Sequence, residues 1–316
     1  MAKPEIDHKT YTVKTPLKAK LLRPRGSELI PPLYLWIGLI ILAVFTLLPF
    51  LYLISSSLSQ TRELLEGHLF PRHLTFENYK HLFTGSGASH FLLAIRNSTI
   101  VAVCTTAFTL ILSVFAAYAF SKVNFPFRST ALFAVLAMQL LPSISIIAPL
   151  YVMMRDGVAL DIPFTGIVFW RTPPLLDSDV ALILAYTTFA LPFAIWVLTG
   201  YFQTIPKALE EAAYIDGCSR IRALFRIVLP LAIPGIAATA ILTLLLAWDE
   251  FIFANAFTQT YASKTLPIAI QEFIGKHSID WGLMTAGGFV ASLPPVIISL
   301  FLYRYIVAGL SGGLKE

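Results

Sequence analysis

The chain has 316 residues, of which 57% are hydrophobic and only 13% charged, with a mean hydropathy of +0.74 and a formal net charge of +5. A water-soluble chain carries about 25% charged residues, and the polar groups here are too few to cover a globule's exterior. This composition excludes a soluble cytosolic enzyme, a disordered chain and a secreted disulfide scaffold, and points to an integral membrane protein. Cys104 and Cys218 lie far apart, outside any C-x-x-C pair, so neither a metal site nor a disulfide framework is expected.

The chain opens with a polar lead carrying Lys3, Lys9, Lys14, Lys18, Lys20, Arg23 and Arg25. This lead, and the apolar run after it, are both too long for a cleaved signal. Apolar stretches then follow at 33–54, 91–120, 130–154, 180–202, 231–257 and 283–307. Each is long enough to cross a hydrocarbon core of about 30 Å as a helix. The runs are continuous rather than alternating, which selects helices over barrel strands. The expected fold is all-α, a polytopic membrane protein with six transmembrane helices.

Cations alternate between the connecting segments. Lys122 and Arg128 fall in 121–129, Lys207, Arg220, Arg222 and Arg226 in 203–230, and Lys315 in the tail. The opposite loops hold Arg62, Arg72, Lys80, Arg155, Arg171, Lys264 and Lys276. With the N-terminal lead included, the asymmetry is two to one and places both termini in the cytoplasm. There is no phosphate-binding G-x-x-x-x-G-K-[ST] motif, and Gly85-Ser86-Gly87 reads as a turn. The chain is therefore not expected to bind or hydrolyse ATP, and no catalytic or metal site is expected in it.

Polar residues within spans are candidates for function. Gln139, near Pro142, is a candidate for the translocation path or for an interhelical hydrogen bond. Asp249 and Glu250 come about 18 residues into the fifth span, roughly 27 Å along a helix, and so near the outer interface. They read as an interfacial cap or ion pair, or as candidates for the path. Arg96 and Asn97 read as an interfacial anchor. Pro142, Pro149, Pro192, Pro294 and Pro295 mark expected kinks. Phe169, Trp170, Tyr186, Phe189, Phe193 and Trp196 crowd the fourth-span region, as a lipid-facing or packed belt or as stacking faces for a solute.

Loop 203–230 is the most ordered connection. Thr204 is an expected cap, Pro206 suits an early helical position, and residues 207–216 are mostly good helix formers. Gly217 fits a left-handed C-terminal cap, and Ser219 can cap a second helix. On that helix Ile221, Leu224, Phe225 and Val228 form one apolar stripe. A small Ala212-Ala213 face flanked by Glu210 and Glu211 suits a groove on a partner protein, with an interfacial helix lying on lipid as the alternative.

Glu211-Ala212-Ala213, then Gly217, then Ile227, Leu229 and Pro230 reproduce at matching spacing the EAA motif of membrane subunits of ATP-binding-cassette importers. Leu74-Thr75-Phe76-Glu77-Asn78-Tyr79, Trp248-Asp249-Glu250-Phe251 and Thr265-Leu266-Pro267 resemble the sugar branch, in particular the six-span maltose-transporter permease. The likeness covers roughly 33–316. It implies a type I importer fold: a basic cytoplasmic segment 1–32, a permease domain 33–309 with its coupling loop 203–230, and a cytoplasmic tail 310–316. It implies coupling to an ATPase through Glu210, Glu211, Ala212, Ala213, Asp216, Gly217, Ile227, Leu229 and Pro230, with Glu211 facing a basic residue of the ATPase and Gly217 making the corner between two short helices. The implied partners are a second permease, two cytoplasmic ATPases that bind ATP and Mg, an extracytoplasmic sugar-binding protein and membrane lipid, with no nucleic acid. An ion-coupled carrier would need carboxylates near mid-membrane, and a membrane enzyme would need clustered acids and histidines. Neither pattern is present in the sequence.

Overall fold

The computed structural model describes residues 32–68, 70–157, 159–161, 168–275 and 279–312. The N-terminal lead and the last residues of the tail lie outside them. In chain order the helices are α1 (Pro32–Ser57), α2 (Thr61–Leu65), α3 (Glu77–Thr84), α4 (Ala88–Lys122), α5 (Arg128–Ala137) with a tighter turn at Met138–Leu140, and α6 (Ser143–Asp156). After the strands β1 (Ala159–Asp161) and β2 (Val168–Arg171) come α7 (Asp179–Thr204), α8 (Lys207–Ile215), α9 (Arg220–Ala223), a π-turn at Leu224–Val228, α10 (Leu229–Leu231), α11 (Ile233–Trp248), α12 (Ile252–Phe257), α13 (Leu266–Gln271) and α14 (Trp281–Gly312).

Among the described residues four helices are long and apolar enough to cross a membrane, and the number reaches the expected six if each of two bent pairs is one span. The third and fifth spans are thus broken rather than merely kinked. Arg128–Leu140 meets Ser143–Asp156 at 94°, and Arg220–Leu231 meets Ile233–Trp248 at 78°. Pro142, which has no N–H to continue the helix, is extended and caps α6 at the first break. At the second, Ala232 leaves helical geometry between α10 and α11. Pro149, Pro192, Pro294 and Pro295 stay inside their helices. The fifth apolar run ends its main helix at Trp248, with α12 following after a break. α14 continues to Gly312, past the expected end of the last span. The strands form a short antiparallel pair, Leu160 opposite Trp170.

Contacts divide the chain into a unit ending at Leu51 and a second from Tyr52. In the first, the apolar side chains of α1 are exposed all round, Phe45 to 80%. The second is built on α4 against α7. The buried face of α4 is Ala94, Ser98, Ala102, Thr105, Thr109, Ser113 and Ala117, small residues about one turn apart. α7 answers with Ala181, Ala185, Ala190 and Ala194. Small side chains let helix backbones approach closely where no water is present to drive association. α11 packs on α4, α7 and α14. One apolar cluster gathers Phe91, Tyr186, Trp248, Phe253, Phe257 and Leu266. Another joins Val114, Tyr118, Leu198, Phe202, Leu224 and Val228 around the start of loop 203–230.

Candidate coupling surface and translocation cavity

α8 starts after an extended step at Ile205–Pro206, and Pro206 is its N-cap. Thr204, the expected cap, instead ends α7 and donates its hydroxyl to the Tyr201 carbonyl at 2.7 Å. At the other end Gly217 takes φ +81°. Its N–H donates to the Tyr214 carbonyl (3.1 Å) and the Cys218 N–H to that of Ala213 (2.9 Å), the bond pair of a Schellman cap. Ser219 then caps α9 by accepting from the Arg222 N–H at 3.4 Å.

Adjacent residues on a helix point about 100° apart, so the two acids of α8 separate. Glu211, Ala212, Asp216 and Gly217 are exposed, as is Ile215 at 87%. Ala213 is buried, and so is Glu210 at 4%. The Glu210 carboxylate pairs with the Lys122 ammonium at 2.9 Å and lies 3.2 Å from the Tyr118 hydroxyl. Glu210 therefore faces into its own chain, while Glu211 is the acid left on the surface. The apolar stripe of the second helix also divides. Leu224 and Val228 are buried to 1% and 0%, while Ile221 and Phe225 are exposed. The stripe runs from α9 into the π-turn at Leu224–Val228, which departs from the 3.6-residue repeat. Ile227 and Leu229 are half-buried and Pro230 is exposed.

The broken spans bring the three intramembrane candidates together. A cavity of about 730 Å³ is lined by Gln139, Tyr186, Phe189, Phe193, Asp249 and Glu250, with apolar residues of α11. Gln139, on the turn before the first break, donates to the Phe189 carbonyl of α7 at 2.8 Å, which is the expected interhelical hydrogen bond. Glu250, in the gap after α11, accepts from the Phe253 and Ala254 N–H groups (2.9 and 3.2 Å) and caps α12. Asp249 is exposed. The pair thus sits at a helix break on a cavity rather than forming a terminal cap alone. Aromatic rings, an amide and two carboxylates, with no Lys, Arg or His among the lining residues, offer stacking faces and hydrogen-bond acceptors to a polyhydroxylated solute. Trp196 is 51% exposed and outside the lining. The side chains of Phe169 and Trp170 lie outside the described residues.

At the other end, loop 258–266 is clamped to two spans. The Asn97 amide donates to the carbonyls of Ala262 (2.9 Å) and Lys264 (3.0 Å), and the Ser98 hydroxyl accepts the Leu266 N–H at 2.8 Å. Asn97 is fully buried, so it is an internal clamp rather than an interfacial anchor. Arg96 is exposed. Asp177, just before α7, accepts the Gln259 and Thr260 N–H groups (2.7 and 2.9 Å) and the Thr260 and Ser263 hydroxyls. Burial opposes its ionisation, but the Ser263 hydroxyl and the other donors outweigh this and hold the carboxyl at about 2. Tyr261 is exposed yet stacks on His90 at 3.6 Å.

Sequence reasoning did not single out Tyr118, Lys122 or Asp177. Lys122 at the end of an apolar run reads as an ordinary interfacial cation, and its partner lies 88 residues away. The spacing of Tyr118 and Lys122, one helical turn apart before the EAA loop, is the signal that was available.

The family of binding-protein-dependent transport system inner membrane components matches residues 90–312. The sulfoquinovosyl glycerol transport system permease SmoH of Agrobacterium fabrum is 37% identical over 87% of this chain and 91% of that protein. The trehalose/maltose transport system permease MalG of Thermococcus litoralis is 34% identical over 91% and 98%. The trehalose transport system permease SugB of Mycobacterium tuberculosis is 36% identical over 85% and 92%. Among solved structures, a chain of a bacterial ABC transporter that imports alginate superposes with a TM-score of 0.70 at 20% identity, covering 89% of this chain and 98% of that one. That likeness carries the type I importer permease fold, and the family match sets aside the ion-coupled carrier and the membrane enzyme. The chain belongs to the family of binding-protein-dependent transport system inner membrane components, and is a multi-pass permease subunit rather than an enzyme.

Proposed function

We propose that this permease subunit imports an uncharged di- or oligosaccharide of the maltose, maltodextrin or trehalose kind. It does so with a second permease, two ATPases carrying ATP and Mg, and an extracytoplasmic sugar-binding protein. The chain is divided as its sequence suggests, with a basic segment 1–32, a permease core 33–309 and a tail 310–316, both termini being cytoplasmic. The cavity holding Gln139, Asp249 and Glu250 is this subunit's share of the sugar path. The Asp249 and Glu250 side chains among its lining residues favour a neutral solute over an anionic one.

The observation that carries the coupling reading is the exposure of Glu211, Ala212 and Ile215 on a helix whose other face is buried. These residues, with Gly217 setting the corner, dock in a groove of one ATPase. Ala213, Ile227 and Leu229 support that surface from within. Reconstitution with the partner subunits tests the reading: labelled sugar should enter proteoliposomes only with ATP and the binding protein. A cysteine at Ala212 should cross-link to the ATPase. Absence of that cross-link in an active complex would remove α8 from the interface. A reporter fused after Lys315 should be active only in the cytoplasm, and one within 265–275 only outside; swapped signals would reverse the orientation.

A further inference from the structure

We infer that Lys122, Glu210 and Tyr118 form the rigid link that passes motion of α8 into α4, and that they are positioning residues for coupling rather than ATPase contacts. This rests on the docking of α8 on an ATPase proposed above. The covalent routes out of α8 are not continuous helix. Upstream, Ile205 and Pro206 are extended rather than helical. Downstream, the chain passes a left-handed glycine, a π-turn and a 78° bend before α11 begins. No continuous helix leads from α8 to its neighbours along the chain, so a direct path from α8 to α4 has to run through side chains.

The side chains supply that path. The Lys122 and Glu210 side chains are 4% and 5% exposed and lie 2.9 Å apart. The same ammonium donates to the Ile205 carbonyl at 2.7 Å, tying the last turn of α4 to the end of α7 as well. One turn earlier on α4, the Tyr118 hydroxyl lies 3.2 Å from Glu210 Oε2, 3.2 Å from the Tyr214 hydroxyl and 3.3 Å from the Arg220 carbonyl. Its one proton serves one acceptor at a time, so it bridges the exit of α8 and the start of α9. Replacing both members of a buried pair with apolar side chains costs little, whereas removing one strands the other's charge. Such a pair contributes a fixed geometry more than net stability. α4 then runs unbroken for 35 residues. On its far half Asn97 and Ser98 hold loop 262–266. Displacement of α8 therefore reaches the opposite end of the permease through one helix.

The test uses the full importer in proteoliposomes with its binding protein, comparing sugar transported per ATP hydrolysed, ATPase co-purification and melting temperature. Glu210→Gln and Lys122→Met should retain the ATPase but lower the transport-to-hydrolysis ratio about tenfold. The exchanged pair Lys122→Glu with Glu210→Lys should recover most of it. Tyr118→Phe, which removes only a hydroxyl, should lower the ratio severalfold, and it keeps the test open if the charge variants fail to accumulate. A ratio unchanged per assembled complex in these variants, with only yield or melting temperature lowered, would overturn the inference. So would an exchanged pair that restores assembly without the ratio. The docking reading is tested apart from this by Ile215→Asp, which should abolish ATPase co-purification while leaving the Lys122–Glu210 pair intact.

Discussion

Gly217 offers a graded test of the corner between α8 and α9. Its φ of +81° lies in the left-handed region, and a Cβ built there meets nothing within 4 Å. Gly217→Ala therefore carries no clash, only the cost of an L-residue in that conformation, roughly 1–2 kcal/mol. That lowers the population of the corner about 5–30-fold relative to competing geometries. Asn adopts the left-handed region more readily, so Gly217→Asn should keep a larger share of activity than Ala. Gly217→Pro fixes φ near −65° and removes the N–H that donates to Tyr214 at 3.1 Å. The cap cannot form at any cost the loop can meet, about 3 kcal/mol or more. ATP-dependent sugar uptake, normalised to permease inserted in the membrane, should rank Gly above Asn, Asn above Ala, and Ala above Pro, with Pro at background. The reasoning fails if Ala equals Gly, if Asn falls below Ala, or if the proline variant transports normally with a coupled ATPase.

A Cβ at Gly235 would meet the Tyr201 ring at 2.5 Å, so Gly235→Ala should separate α11 from α7 and lower the melting temperature of the assembly. Overpacking of this kind costs about 1–3 kcal/mol, and Tyr201→Ala in the same chain should recover part of the loss. Glu211→Lys should weaken co-purification of the ATPase without affecting membrane insertion, since the side chain is exposed. Shortening the exposed stretch 259–262 should lower uptake while the ATPase complex still assembles in detergent; full uptake would deny the loop a part in receiving sugar. Asp177 has a folded pKa of about 2, below its ordinary 3.8, so its bonds stabilise the loop fully above the ordinary value and are lost as pH falls through about 2. Partial exposure limits the effect to the order of 1 kcal/mol. Exchange protection of the Gln259 and Thr260 amides, corrected for intrinsic rates, should fall over that window, and Asp177→Ala should show the low value at neutral pH.

Local chemistry made much of this permease legible in its sequence. Continuous apolar runs identify spans because hydrocarbon cannot hydrogen-bond a backbone, so each run must be helical. Gly217 and Ser219 announce their caps because capping depends on one or two neighbouring residues. The spacing of Glu211, Ala212, Ala213, Gly217, Ile227, Leu229 and Pro230 carries the resemblance to the EAA motif, because a motif is a pattern along the chain.

What only the tertiary structure decided involves partners distant in sequence or departures from helical period. Glu210 and Glu211 are chemically identical neighbours; the turn of α8 and the position of Lys122 send one inward and leave the other outside. Ile221, in α9, and Phe225, in the π-turn, are exposed although the sequence pattern sets them on one stripe with the buried Leu224 and Val228. Pro142 foretells a distortion, but the 94° break depends on how the two halves pack. That break and the gap after Trp248 bring Gln139, Asp249 and Glu250 to one cavity, although more than a hundred residues separate Gln139 from the acids. Asn97 becomes a clamp only when loop 262–266 folds back onto α4. Burial and charge pairing are properties of the assembled surface, and the order of residues along the chain does not carry them.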